Sequence, residues 1–134
     1  MEPSKIVARF QSGRILKGYT QNFFPNKPLF HLTPQEGSEM KGPVEVPVNQ
    51  LKAVFFVRDF VGNRAFKEKN QPAPGEKPLG RLFEVTFKDG EKMVGTTSGY
   101  DPKRPGFFLF PVDKETNNSK AYIVASAVQS ARFL

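Results

Sequence analysis

FKDGEKMVGTTSGYDPKRPGFFLFP, residues 87–111, repeats in outline what FQSGRILKGYTQNFFPNKPLFHLTP, residues 10–34, has already laid down. Set side by side at a shift of 77 residues, Phe10 meets Phe87, Gly13 meets Gly90, Gly18 meets Gly95, Pro28 meets Pro105 and Pro34 meets Pro111. The register holds without a gap as far as Phe56 and Phe133, with conservative pairs between, such as Phe23 with Tyr100, Lys27 with Arg104 and Leu51 with Val128. Matches on glycine, proline and phenylalanine specify backbone shape and core together, which is the mark of an internal repeat. The chain is therefore expected to hold two copies, one within residues 1–57 and one at 82–134, joined by a connecting segment at 58–81.

Each copy reads as strands. In FEVTF, residues 83–87, the apolar Phe83, Val85 and Phe87 alternate with Glu84 and Thr86, the period of two that a half-buried strand shows. Asp89-Gly90 follows as a turn that needs positive φ, and Ser12-Gly13 does the same in the first copy. Gly18 and Gly95 lie inside the second strand of each copy, where a missing side chain allows a sharp bend. Bent strands of this kind curl a sheet toward closure. The expectation is an all-β chain of two tandem five-stranded small barrels. Phe107 to Phe110, apolar at every position, predict a strand covered on both faces, by its own copy and by something else. In the connecting segment, residues 58–66 are expected to lie ordered against a barrel, and the polar, proline-punctuated 70–77 to form a mobile loop.

Composition narrows the chemistry. The 134 residues suit one ordinary domain or two very small ones sharing a core. With 14 Phe, no Trp and no Cys, core volume must come from phenylalanine and aliphatic residues, and thiolate chemistry is excluded. No stretch approaches the ~18 consecutive apolar residues of a membrane span, so a soluble, cytoplasmic protein without membrane insertion is expected. The single histidine, His31, calls for a structural role, and no metal or other cofactor is expected. No GxSxG, SxxK, GxGxxG or P-loop pattern appears, so the expectation is a non-enzymatic protein. Asp89 and Asp101 read as turn residues whose carboxylates accept nearby backbone amides.

A formal net charge of +7 points to anionic partners, either an acidic protein face or another anionic ligand, with nucleic acid as the alternative. The candidate surface is the stiff loop at residues 101–105, in which prolines flank Lys103 and Arg104 behind Tyr100 and Asp101. Proline restricts φ for itself and the residue before it, so the two cations are displayed at low entropic cost. Asn26 and Lys27, between Pro25 and Pro28, supply a related loop from the other copy. Arg58 and Arg64 in the connecting segment are weaker candidates. A repeat also leaves open a homo-oligomer, since symmetric contacts are met within one chain or between chains.

The run VTFKDGEKMVGTTSGYD, residues 85–101, followed by the Phe107 strand, resembles the first motif of the Sm-like family. Turn glycine Gly90, bent-strand glycine Gly95 and the aromatic-acid pair Tyr100-Asp101 fall where that motif has them, and residues 7–32 follow it more loosely, with Phe24 in the place of the acid. The resemblance implies small SH3-like barrels. RNA-binding members carry an Asn shortly after the aromatic-acid pair and a basic-glycine step between the last two strands; here those places hold Pro105 or Gly106 and Ala125 to Ala127. The whole chain also resembles an uncharacterised bacterial family of duplicated domains with GYDP and RPGFFL segments, which brings no assigned activity; the function expected is a non-catalytic binding or adaptor module in bacterial regulation. PilZ domains, which bind cyclic dinucleotides, use an RxxxR segment and a [DN]xSxxG turn; Arg9 and Arg14 are spaced otherwise, so cyclic-dinucleotide signalling ranks third.

Overall fold

The computed structural model describes residues 3–38, 41–58, 60, 81–97, 99–101, 103–112 and 118–134. Ten strands form one antiparallel sheet, and no α-helix occurs among the described residues. The first half contributes β1 (Ser4–Phe10), β2 (Ile15–Thr20), β3 (Leu29–Pro34), β4 (Val44–Pro47) and β5 (Leu51–Val57). The second contributes β6 (Leu82–Phe87), β7 (Lys92–Thr96), β8 (Gly106–Pro111), β9 (Asn118–Val124) and β10 (Val128–Phe133). A 3-10 turn leads into the last strand of each half, at Val48–Gln50 and Ala125–Ala127.

Across the sheet the order is β10-β6-β7-β8-β9-β5-β1-β2-β3-β4, so each half lays its strands in the same sequence and the halves join where β5 pairs with β9. Local bonds recur at the 77-residue spacing. Gly13 donates to the Phe10 carbonyl (3.0 Å) and Gly90 to that of Phe87 (2.9 Å); Val48 donates to Pro28 (2.9 Å) and Ala125 to Pro105 (2.8 Å). The expected turn glycines both take positive φ, 97° at Gly13 and 95° at Gly90.

The expected closure into two barrels does not appear in the pairing, and the sheet is open. The reason is edge occupancy. Closing either half would need a free edge on β5 or β9, and each of these has one edge on its own half and the other on its partner. β4 and β10 stand at the two ends of the sheet. β4 is only four residues long and is bracketed by Pro43 and Pro47, which have no amide hydrogen to offer another strand.

Two cores lie on opposite faces of the joined strands. Val54, Tyr122 and Val124 pack with Ile6, Phe30 and Leu32, whereas Ala53, Phe55, Ala121 and Ile123 pack with Phe83, Val85 and Phe87. Because side chains alternate along a strand, β5 and β9 are buried on both faces and belong to both cores. The same holds for most of β8: Phe107 and Leu109 enter the second core and Phe108 leans on the first, as the sequence predicts, while Phe110 is 41% exposed.

The halves are also tied by charge. Lys52 on β5 is 8% exposed, lies over the Phe87 ring (4.6 Å) and donates from Nζ to Asp89 and Glu91, each at 2.7 Å. That ammonium and the Glu91 N–H hold the Asp89 carboxyl below the usual carboxylate range. A depressed folded-state pKa contributes stability above the unfolded value, and that contribution disappears as pH falls through the folded one. Asp89→Asn is expected to melt below the wild type at neutral pH, with the gap closing on titration below about pH 4. Thermal unfolding monitored across pH checks this, and a gap that persists in acid would remove the ion pair as its cause.

Candidate functional site

The first half offers its second-to-third-strand loop, residues 21–28, and its 3-10 turn; the second half offers residues 97–105 and the matching turn. The β5–β9 pairing brings one of each together at the seam. One cavity of about 680 Å³ is lined by residues 25–29 and 47–49 of the first half and by Pro105 and residues 124–126 of the second. A neighbouring one of about 600 Å³ is lined by Pro25 and Asn26 together with Gly99, residues 104–108 and Tyr122. The two share Pro25, Asn26 and Pro105, and so form one groove with a proline from each half at its waist.

Three of the residues singled out in the sequence, Asn26, Lys27 and Arg104, line this groove. Asp101 shapes the loop behind it, accepting the Lys103 N–H at its carboxylate (2.9 Å) and the Arg104 N–H at its carbonyl (3.0 Å). The turn role expected for Asp101, like that of Asp89, is thus observed. The Arg104 side chain is 77% exposed and stands 3.9 Å from the Asp101 carboxylate, a loose surface pair that contributes about 0–1 kcal/mol and leaves the guanidinium available. Lys103 is exposed but does not line the groove.

The remaining candidates lie elsewhere. Tyr100 is a packing residue, its ring 4.8 Å from Phe83 and 5.0 Å from Phe107. Arg58 is exposed just beyond β5 and takes no part in the groove lining. Arg64 falls outside the described residues, as do the expected mobile loop at 70–77 and all but Arg58 and Phe60 of the segment at 58–66. Phe60 packs edge-on against Tyr19, at 5.2 Å. His31 is exposed, accepts the Asn22 amide at Nδ1 (2.8 Å) and has its Nε2 3.8 Å from Glu45. Among the described residues no three His, Asp or Glu side chains converge as metal ligands would, and no helix is long and apolar enough to cross a membrane.

Sequence reading missed Tyr122. The residue is 1% exposed, its ring 5.2 Å from both Phe23 and Phe108, and it also lines the second cavity. A Cβ built on Gly106 would come within 2.6 Å of its hydroxyl, so the glycine keeps that side of the cavity floor open. The hydroxyl has no hydrogen-bond partner among the described residues, and burial raises its pKa above the usual tyrosine value, which keeps it a donor. The legible signal is a tyrosine in the apolar run AYIVA, residues 121–125, because a buried Tyr normally finds a partner for its hydroxyl.

No curated protein and no solved structure matches the chain. A family model described as a family of unknown function (DUF6982) matches residues 2–134, and the chain belongs to that family.

Proposed function

We propose that this protein is a non-catalytic binding module of bacterial cytoplasmic regulation, taking an anionic partner through the groove between its two proline loops. The observation that carries the reading is the composition of that groove. Among the described residues Lys27 and Arg104 line it and no carboxylate does, and both cations sit on loops stiffened by proline. We further take the two halves to be Sm-like small barrels derived by duplication, each left open where β5 and β9 join. The shared strand order and the bonds that recur 77 residues apart support that view.

Amide chemical shifts of the labelled protein, followed while polyglutamate or single-stranded RNA is added, test the reading. Shifts at Asn26, Lys27, Leu29, Arg104, Gly106 and residues 124–126 are expected, and their loss in Lys27→Glu, Arg104→Glu. A runner-up, favoured by the net charge of +7, is nucleic-acid binding over the whole basic surface. It would scatter the RNA-induced shifts, lose affinity steeply between about 50 and 200 mM salt, and ignore the double variant.

A further inference from the structure

We propose that the groove docks an extended acidic peptide of a partner protein, with a carboxylate against the Tyr122 hydroxyl and Arg104 at one end and an apolar side chain between the proline walls at the other. The inference rests on the binding-module reading above and names its ligand.

The two ends of the groove differ in chemistry. The larger cavity is walled by Pro25, Pro28, Leu29, Pro47, Val48 and Val124, with Lys27 at its rim. Such walls remove an aliphatic side chain from water and offer little to a phosphate. Three residues with side-chain donors line the smaller cavity, Arg104, Asn26 and Tyr122. Of these Tyr122 is the most telling. Its ring is buried, whereas its hydroxyl donates to nothing among the described residues and opens on this cavity, where a ligand's acceptor can reach it. A carboxylate accepts from a guanidinium fork and a hydroxyl at once, and such charge-assisted bonds are the strong ones.

Peptide fits better than nucleic acid for two reasons. Single-stranded nucleic acid needs exposed ring faces to stack upon, yet Phe107 is 6% exposed and Tyr122 1%, and the half-buried Phe108 ring carries the Lys120 ammonium 5.1 Å from its centroid. It also needs a row of cations along its backbone, whereas two of the described residues that line the groove are cationic. An extended peptide, in which every second side chain points the same way, instead presents an acidic residue and an apolar one two positions on to adjoining subsites.

The test compares three labelled probes by fluorescence anisotropy: a peptide repeating Asp-Ser-Leu-Ser (the Asp–Leu peptide), which puts Asp and Leu on one face, a peptide repeating Asp-Ser-Ser-Ser with the same charge, and single-stranded RNA. The Asp–Leu peptide is expected to bind at least about tenfold more tightly than either other probe, and Tyr122→Phe to weaken it by about tenfold. Tyr122→Phe is expected to unfold at the wild-type temperature, because its hydroxyl bonds nothing within the fold, so the loss would not report misfolding. Equal binding of all three probes, insensitive to Tyr122→Phe but abolished by Lys27→Glu, Arg104→Glu, would overturn the peptide assignment and leave the anion-binding reading intact. Tighter binding of RNA than of either peptide would overturn it as well. Failure of every probe to bind, or binding indifferent to the charge reversal, would overturn both.

Discussion

Gly95→Ala is expected to cost about 3 kcal/mol or more, although it adds one methyl group. A Cβ at this position would lie 2.4 Å from the Phe110 carbonyl oxygen and 2.9 Å from its carbonyl carbon, so the clash is with backbone and no rotamer change relieves it. Retreat of the neighbouring strand would break the junction of β7 with β8, which rests on two paired positions, Gly95 with Pro111 and Thr96 with Phe110. Moving β8 would also drag Leu109, fully buried in the second core. Gly18 occupies the same situation in the first half, with the Thr33 carbonyl oxygen 2.2 Å from a built Cβ. Gly99→Ala is the control: nothing lies within 4 Å of its added Cβ and its φ is not positive, so a change within about 1 kcal/mol is expected. Chemical denaturation of the three proteins decides the matter. Should Gly95→Ala unfold at the same midpoint as Gly99→Ala, close approach is not why glycine stands there.

This pair of glycines also marks how far the sequence reaches. Gly18 and Gly95 were legible because a glycine within an alternating strand has few other reasons to be there, and their spacing from Gly13 and Gly90 exposed the repeat. The strands were legible through alternation and turn chemistry, both of which act over a few residues. What escaped was set by which edge meets which. Closure of each half is prevented by the β5–β9 pairing, a contact between residues 53–57 and 118–123 that no local pattern announces. The exposure of Phe110 has the same origin: β8 pairs with β9 only from Gly106 to Leu109, so Phe110 lies past the end of that cover.

The candidate site divides along the same line. Asn26, Lys27 and Arg104 were found because a cation between prolines is unusual by itself, yet nothing local tells which of Lys103 and Arg104 faces the seam. Tyr122 raised no expectation as a site residue, because the position of its hydroxyl depends on Gly106 across the β8–β9 ladder. Lys52 raised no expectation either. It is a lone charge in LKAVFFV, residues 51–57, and its partners Asp89 and Glu91 come from the other half of the chain.

Phe30→Ala and Phe83→Ala, one in each core, are expected to cost about 3–5 kcal/mol apiece and to lower one shared transition. Phe30 is fully buried with Phe23 at 5.1 Å, and Phe83 is 1% exposed among Tyr100, Phe107 and Phe133, so each truncation leaves a large void. Two separate small barrels would melt separately, and each variant would shift only its own half. Here β5 and β9 carry alternate residues into both cores: Val54 and Tyr122 into the first, Ala53, Phe55, Ala121 and Ile123 into the second. If the first core opened alone, one face of both strands would be stripped of its apolar cover while the other stayed packed. The Lys52 contacts with Asp89 and Glu91 would be strained with them. Against a total stability on the order of 5–15 kcal/mol, that coupling is large enough to make partial unfolding rare. Circular dichroism and the near-ultraviolet signal of the three tyrosines, Tyr19 in the first half and Tyr100 and Tyr122 in the second, should therefore give coincident curves in the wild type and in both variants. Two resolved transitions, with Phe30→Ala moving one and Phe83→Ala the other, would show that the seam joins the halves without making them fold as a unit.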